Sequence, residues 1–221
     1  MTYSELPELT KWLLLAARVG VDDSTWMKAD AAYLVGETEN NAPSVLRRGA
    51  ELWKKGIVPT VAIQKGGEGF GYFGHQNSLN ALRGLGMPSE HITPMPILAE
   101  FESSRQVNTL TELLSFARMG KQNGWQRILL VPPHFHQLRS FFTAVTAVDA
   151  EYPELKVFNS AGAYLPWGEE VKHSQGTTLG TRIEIFAGEI KRIMAYQQNS
   201  KPYSLVSVER ALEYLDQRDA G

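Results

Sequence analysis

The stretch Ile128-Leu-Leu-Val131-Pro-Pro133-His134-Phe135-His136-Gln-Leu138-Arg139 decides the fold. Its apolar run stops at two prolines, which carry no N–H and cannot continue a buried ladder. Apolar positions then recur at helical spacing, at Leu138, Phe141, Phe142 and Val145. The stretch therefore reads as strand, turn and helix over 127–131 and 135–149. His136 and Arg139, three apart, share one face of the first helical turn. N–H groups there lack intrahelical partners and the helix dipole is positive, so a cation and a titratable imidazole make this end a candidate seat for an anion.

The same alternation extends in both directions. Ala31-Ala-Tyr-Leu-Val35 is a buried-strand run ended by Gly36. A helix opened by Asn40-Asn-Ala-Pro43 follows, with Leu46, Gly49, Ala50 and Trp53 on one face and Gly56 as its stop. Strand 60–63 runs into the glycine-rich segment 65–74, then a helix spans 75–85. Pro94 and Pro96 mark 92–98 as an edge strand. Asn108-Thr109 opens a helix with Leu110, Leu113, Leu114 and Ala117 inward, and Thr109 to Glu112 spells a capping box. Strand 156–158 precedes a loop over 159–177. Leu179, Ile183, Phe186, Ala187, Ile190 and Met194 define a long helix, with a last helix over 204–217. At the start, a helix over 5–20 sets Leu9, Trp12, Leu13, Ala16 and Ala17 to one side.

Strands alternating with helices predict an α/β chain: a Rossmann-like three-layer sandwich with a mostly parallel sheet of about five strands, ordered 3-2-1-4-5. The whole of 1–221 reads as one domain. It comprises an N-terminal helical extension (1–28), a Rossmann-like core (30–160) and C-terminal helices (179–217).

Composition bounds the function. With 43% hydrophobic and 21% charged residues over 221 positions, the chain is globular. A formal net charge of −2 gives no footprint for nucleic acid or an anionic membrane. The absence of cysteine excludes disulfides, thiolate nucleophiles and Cys-based metal sites. The apolar run Trp12–Ala17 is too short to span a bilayer and no cleavage site follows it, so a soluble, cytoplasmic protein is expected.

In the expected strand order the crevice opens at the carboxyl ends of strands 1 and 4. Gly36, Glu37 and the segment from Pro132 through His134 and His136 to Arg139 lie there. Lys65, Gly66 and Gly67 edge the same crevice, and the loop 100–109 with Asn108 and Thr109 closes it. In this reading His136 is the catalytic proton-transfer group and Arg139 and Arg48 hold negative charge. The turn at Gly66 and Gly67 lets backbone N–H groups approach a ligand.

Competing motifs are weaker. Gly69-Phe-Gly71-Tyr-Phe-Gly74 spells G-x-G-x-x-G, but it follows the second strand and lacks the acidic residue a dinucleotide site requires. It reads better as an anion-contacting or lid loop whose Phe70, Tyr72 and Phe73 can stack on a ring. His134-x-His136, even with Glu37 or Asp30, offers too few ligands for a metal site, and none is expected. Asp30 is expected to pair with backbone or Arg48. The chain has neither a nucleophile elbow nor a Walker loop.

Asp30-Ala-Ala-Tyr-Leu-Val-Gly36, Arg48-Gly-Ala-Glu-Leu-Trp-Lys-Lys-Gly56 and Gly66-Gly67 resemble the opening of the YdcF-like family, the SanA/ElyC/YdcF group, a domain of unknown function. Gly86-Met-Pro88, Asn108-Thr109 and Phe135-His-Gln-Leu-Arg-Ser140 match later blocks in the same order, over residues 30–145. Two departures stand out. Pro132-Pro133 replaces the family's Thr-Ser pair, and Thr111-Glu112 replaces its Glu-Asn. The resemblance implies a Rossmann-like fold with a polar pocket at the strand ends, and S-adenosylmethionine as a candidate ligand. The site residues it carries over are Gly36, Arg48, Gly66, Gly67, Asn108, Thr109, His136 and Arg139.

The expectation is thus a protein that binds a small anionic or nucleotide-like molecule in the crevice and catalyses hydrolysis or group transfer there. The alternatives are a non-catalytic sensor or carrier, and an interaction module that forms a homodimer through helices 179–217.

Overall fold

Five short strands build the centre of the molecule: β1 (Ala31–Leu34), β2 (Val61–Gln64), β3 (Ile92–Met95), β4 (Arg127–Val131) and β5 (Lys156–Asn159). They form one all-parallel sheet in the order β3-β2-β1-β4-β5, as the sequence predicts. The structure, a computed structural model, describes residues 2–66, 72–98, 108–173, 178–199 and 203–220. The helices are α1 (Glu8–Val19), α2 (Ala42–Lys54), α3 (His75–Gly84), α4 (Thr109–Asn123), α5 (Gln137–Glu151), α6 (Arg182–Asn199) and α7 (Val208–Asp219).

Successive strand residues point to opposite faces, and both faces are buried. Ala31, Tyr33, Ile128 and Leu130 pack into the core that includes α1, α4, α5 and α7. Ala32, Leu34, Leu129 and Val131 pack into the core of α2 and α3. Gly49 explains how closely α2 lies on the sheet: a Cβ there would stand 2.6 Å from Leu34 Cδ1.

Both sheet edges are managed. Pro94 stands on the edge strand β3, where its missing N–H costs nothing. On β5, the outer backbone groups are met by side chains. Val157 N–H donates to Tyr214 Oη at 2.7 Å, Asn159 N–H donates to Asp23 at 2.7 Å, and Arg218 donates to the Val157 carbonyl at 3.2 Å.

Two local expectations are corrected. In α1 the buried face is Lys11, Trp12, Leu15 and Val19, while Leu9, Leu13, Ala16 and Ala17 are exposed. Trp12 anchors this face against Phe142, with ring centroids 5.5 Å apart. The loop expected over 159–177 contains strand β6 (Glu170–His173), which pairs antiparallel with β7 (Thr178–Thr181), the strand that holds Leu179. The inward face of α6 is Arg182, Ile185, Glu189 and Ile193, and Ile183, Phe186, Ile190 and Met194 face solvent. Arg182 and Glu189 have buried partners waiting for them, and that network takes the inward positions an apolar stripe would otherwise claim.

Candidate functional site

The turn after β4 sets the geometry. Pro132 and Pro133 end the strand, His134–His136 form one 3-10 turn, and His136 becomes the N-cap of α5. The His136 ring is thereby fixed at the carboxyl end of β4. Its neighbour β1 leads through Val35 into Gly36 and Glu37, so the switch point of the sheet holds a buried pair. His136 Nδ1 lies 2.8 Å from Glu37 Oε1, and the two side chains are 2% and 1% exposed.

The pair sits in a larger buried network. His173, delivered by β6, has Nδ1 3.8 Å from Glu37 Oε2 and its ring edge-on to His136 at 5.2 Å. Arg139 donates to Glu189 Oε2 at 2.6 Å and to His173 Nε2 at 3.1 Å. A guanidinium only donates, so His173 Nε2 accepts and its proton rests on Nδ1, toward Glu37. Arg192 closes the other Glu189 oxygen at 3.0 Å.

A second buried carboxylate lies beside the first. Glu112 accepts from Tyr33 Oη at 2.6 Å and from the Gly36 N–H. A Cβ on Gly36 would stand 3.1 Å from Glu112 Oε1, a close approach that glycine permits just after β1. The expected Thr109–Glu112 capping box is shifted by one residue. Asn108 Oδ1 accepts from Leu110 N and Thr111 N, and Thr111 Oγ1 accepts from Asn108 N. Glu112 is freed by that shift to face the strand end.

Burial dominates the electrostatics. It raises the Glu37 pKa well above the usual carboxylate range, with Arg139 pulling the other way and Glu112 adding to the rise. Burial also raises Glu112. It lowers His136 well below its ordinary value, reinforced by the charge of Arg139. His173 falls to about 3, again through burial first and Arg139 second. Both imidazoles are therefore neutral. His136 Nε2 is buried with no hydrogen-bond partner among the described residues, and so is Ser140 Oγ one helical turn later.

His136, His173 and Glu189 each place a potential metal ligand atom within 4.8 Å of the others. The set does not suit a cation: both Glu189 oxygens and His173 Nε2 already face guanidinium groups, whose charge would oppose a metal ion. The atom of this cluster left without a partner among the described residues is His136 Nε2.

Of the residues expected in the crevice, the structure brings together Gly36, Glu37, His136 and Arg139. Arg48 and His134 line a separate cleft of about 300 Å³ with Asp22, Glu51 and Gln137. There Arg48 is held by Asp22, Ser24, Glu51 and Ser160. Lys65 is exposed at the end of β2 and the Gly66 carbonyl accepts from His75 N at 3.0 Å. Asn108 caps α4 and Thr109 is buried in its first turn. Gly67, the first half of the 69–74 glycine motif including Phe70, and 100–107 lie outside the described residues. Asp30 accepts from Gln126 N and Arg127 N, the backbone pairing expected of it.

Sequence reasoning missed His173, Glu189 and Arg182. Arg182, 1% exposed, clamps the α6 start to the loop before α2 through Asn41 Oδ1 at 3.0 Å and the Asn40 carbonyl at 3.1 Å. The charged residues at 182 and 189, seven apart and in line with the apolar Ile185 and Ile193, were the available signal. No protein-family model, no curated protein and no solved structure matches this chain.

Proposed function

We propose that this chain binds a small anionic or nucleotide-like molecule at the carboxyl ends of β1 and β4 and exchanges a proton with it at His136 Nε2. One observation carries the reading: a buried imidazole, oriented through Nδ1 by Glu37, whose other nitrogen has no partner among the described residues. Glu37 sets the direction of transfer. When it is ionised, Nδ1 donates to it and Nε2 is a bare acceptor, ready to take a proton from an attacking water or hydroxyl. When it is protonated, it donates to Nδ1 and the ring proton sits on Nε2, ready for a leaving group. Hydrolysis or group transfer fits these parts. Lys65, exposed at the end of β2, supplies positive charge at the rim.

The resemblance of residues 30–145 to the YdcF-like family supports the same crevice and makes S-adenosylmethionine a candidate ligand. No helix among the described residues is long and apolar enough to cross a membrane, which accords with a cytoplasmic setting. A non-catalytic sensor or carrier is the second reading, favoured by the internal neutralisation of Arg139 by Glu189.

The test is a thermal-shift panel of S-adenosylmethionine, nucleotides, sugar phosphates and inorganic phosphate, followed by product analysis of each hit. A ligand at about 100 times its dissociation constant adds about 2.7 kcal/mol. His136→Asn keeps an amide where Nδ1 meets Glu37 and removes Nε2. The proposal expects a hit that this variant still binds but no longer turns over. A hit bound and left unchanged by the wild type would establish the carrier. Silence across the panel, or equal turnover by the variant, would refute the proton-transfer role.

A further inference from the structure

The surface of α6 carries an apolar stripe with no partner. Ile183 is 51% exposed, Phe186 42%, Ile190 42% and Met194 50%, and Leu179 of β7 extends the stripe at 66%. Single exposed apolar residues are ordinary; a contiguous row along one helix is the mark of an interface. Ile183, Ala187, Ile190 and Met194 recur at steps of four, three and four, the spacing of a two-helix seam. Phe186 flanks the seam and is braced from behind by Trp167, edge-on at 5.6 Å.

We infer that this face of α6 pairs with the same face of a second copy of the chain, antiparallel, about a two-fold axis level with the 188–189 peptide. Charge selects this occupant. Glu184 and Lys191 lie seven residues apart on one flank of the stripe and both are exposed. In an antiparallel pair, the same flanks of the two helices face each other, so Glu184 meets the partner's Lys191 and Lys191 meets the partner's Glu184. Parallel pairing offers no such match.

The seam itself is self-complementary. Ile183 falls opposite the partner's Met194, and Ala187, the small residue at the centre, opposite the partner's Ile190, which lets the backbones approach. An isologous contact of this kind closes on itself as a dimer. A membrane surface fits less well, because the flank carries one acid and one base rather than a basic row. The opposite face of α6 carries Glu189 and Arg192 into the buried network, so the dimer would brace the helix that holds Arg139. The inference stands on the exposed stripe and is independent of the proposed proton transfer.

Sedimentation velocity of the full chain over a micromolar range tests it. Wild type is expected to be dimeric. Ile190→Glu, at an exposed position, is expected to be monomeric with an unchanged far-UV circular-dichroism spectrum. Glu184→Lys alone and Lys191→Glu alone set like charges together, and each should weaken the dimer at least tenfold. An equimolar mixture of the two should restore it as a heterodimer, since every facing pair then has opposite sign. A monomeric wild type at 200 µM, or a dimer that Ile190→Glu leaves intact, would overturn the interface. A dimer broken by Ile190→Glu but indifferent to both charge reversals would overturn the antiparallel arrangement.

Discussion

Around Arg48 every guanidinium nitrogen finds an acceptor. Its Nε donates to Ser160, Nη1 to Glu51, and Nη2 to Asp22 and Ser24. Around His136 the bonding stops one atom short, because Nδ1 is tied to Glu37 while Nε2 is buried and bare of any partner among the described residues. Both residues sit near the carboxyl ends of the central strands, and both carry the side-chain chemistry of an anion site. The difference teaches how to read such residues. A guanidinium whose hydrogen bonds close within the fold is holding helices and loops in place. A buried ring nitrogen left without a partner costs stability, and it is on this atom that the proposed proton transfer rests.

Removing each arginine is the strongest way to break this comparison. Arg139→Ala leaves the buried Glu189 carboxylate with Arg192 alone and strips His173 Nε2 of its donor, and urea unfolding at pH 7 should show a loss of about 3 kcal/mol. Arg48→Ala leaves partners that reach solvent, with Asp22 and Glu51 38% and 42% exposed, and should cost about 1–2 kcal/mol. Equal losses would mean that the two clusters are energetically alike.

The pH dependence sharpens it. His173 titrates at about 3 in the folded protein against 6.5 when unfolded. Between those values the unfolded chain binds a proton that the folded chain refuses, so stability is held above pH 6.5 and is lost as pH falls toward 3. His173→Asn should flatten that part of the acid limb in a series of thermal melts. Glu37 has the opposite sign. Its raised folded pKa means that the unfolded chain releases its proton first, so stability declines as pH rises above about 4.5, the ordinary glutamate value. Glu37→Gln should therefore melt higher than wild type at pH 8 and converge with it at pH 4. A Gln variant less stable at pH 8 would show that the carboxylate is structurally favourable there. The smallest effect is expected at Ser140, whose buried hydroxyl lacks a partner. Ser140→Ala should leave stability unchanged or raise it by up to about 1 kcal/mol.

Period and punctuation made the sheet legible. The runs at 31–35 and 127–131, each cut off by glycine or proline, placed β1 and β4 and hence the switch point with Gly36, Glu37, His136 and Arg139. Glu112 was hidden because Thr109-x-x-Glu112 imitates a cap, while the true box is one residue earlier and frees the carboxylate. His173 was hidden because a four-residue strand with alternating burial leaves little signal in a polar segment. The apolar positions of α6 set its period but not its facing, because the usual rule that the apolar side points inward fails there. Buried pairings of Arg182 and Glu189 outweigh that rule, and their partners lie far away in sequence, where periodicity cannot register them.

The most direct test of the account is the protonation of His136, read by long-range ¹⁵N NMR of its ring between pH 8 and pH 5. The account predicts a neutral imidazole throughout, with one nitrogen protonated and one bare: Nε2 bare while Glu37 is ionised, Nδ1 accepting once Glu37 holds its proton. Protonation of both nitrogens with a midpoint near 6.5, the behaviour of a solvated histidine, would contradict it.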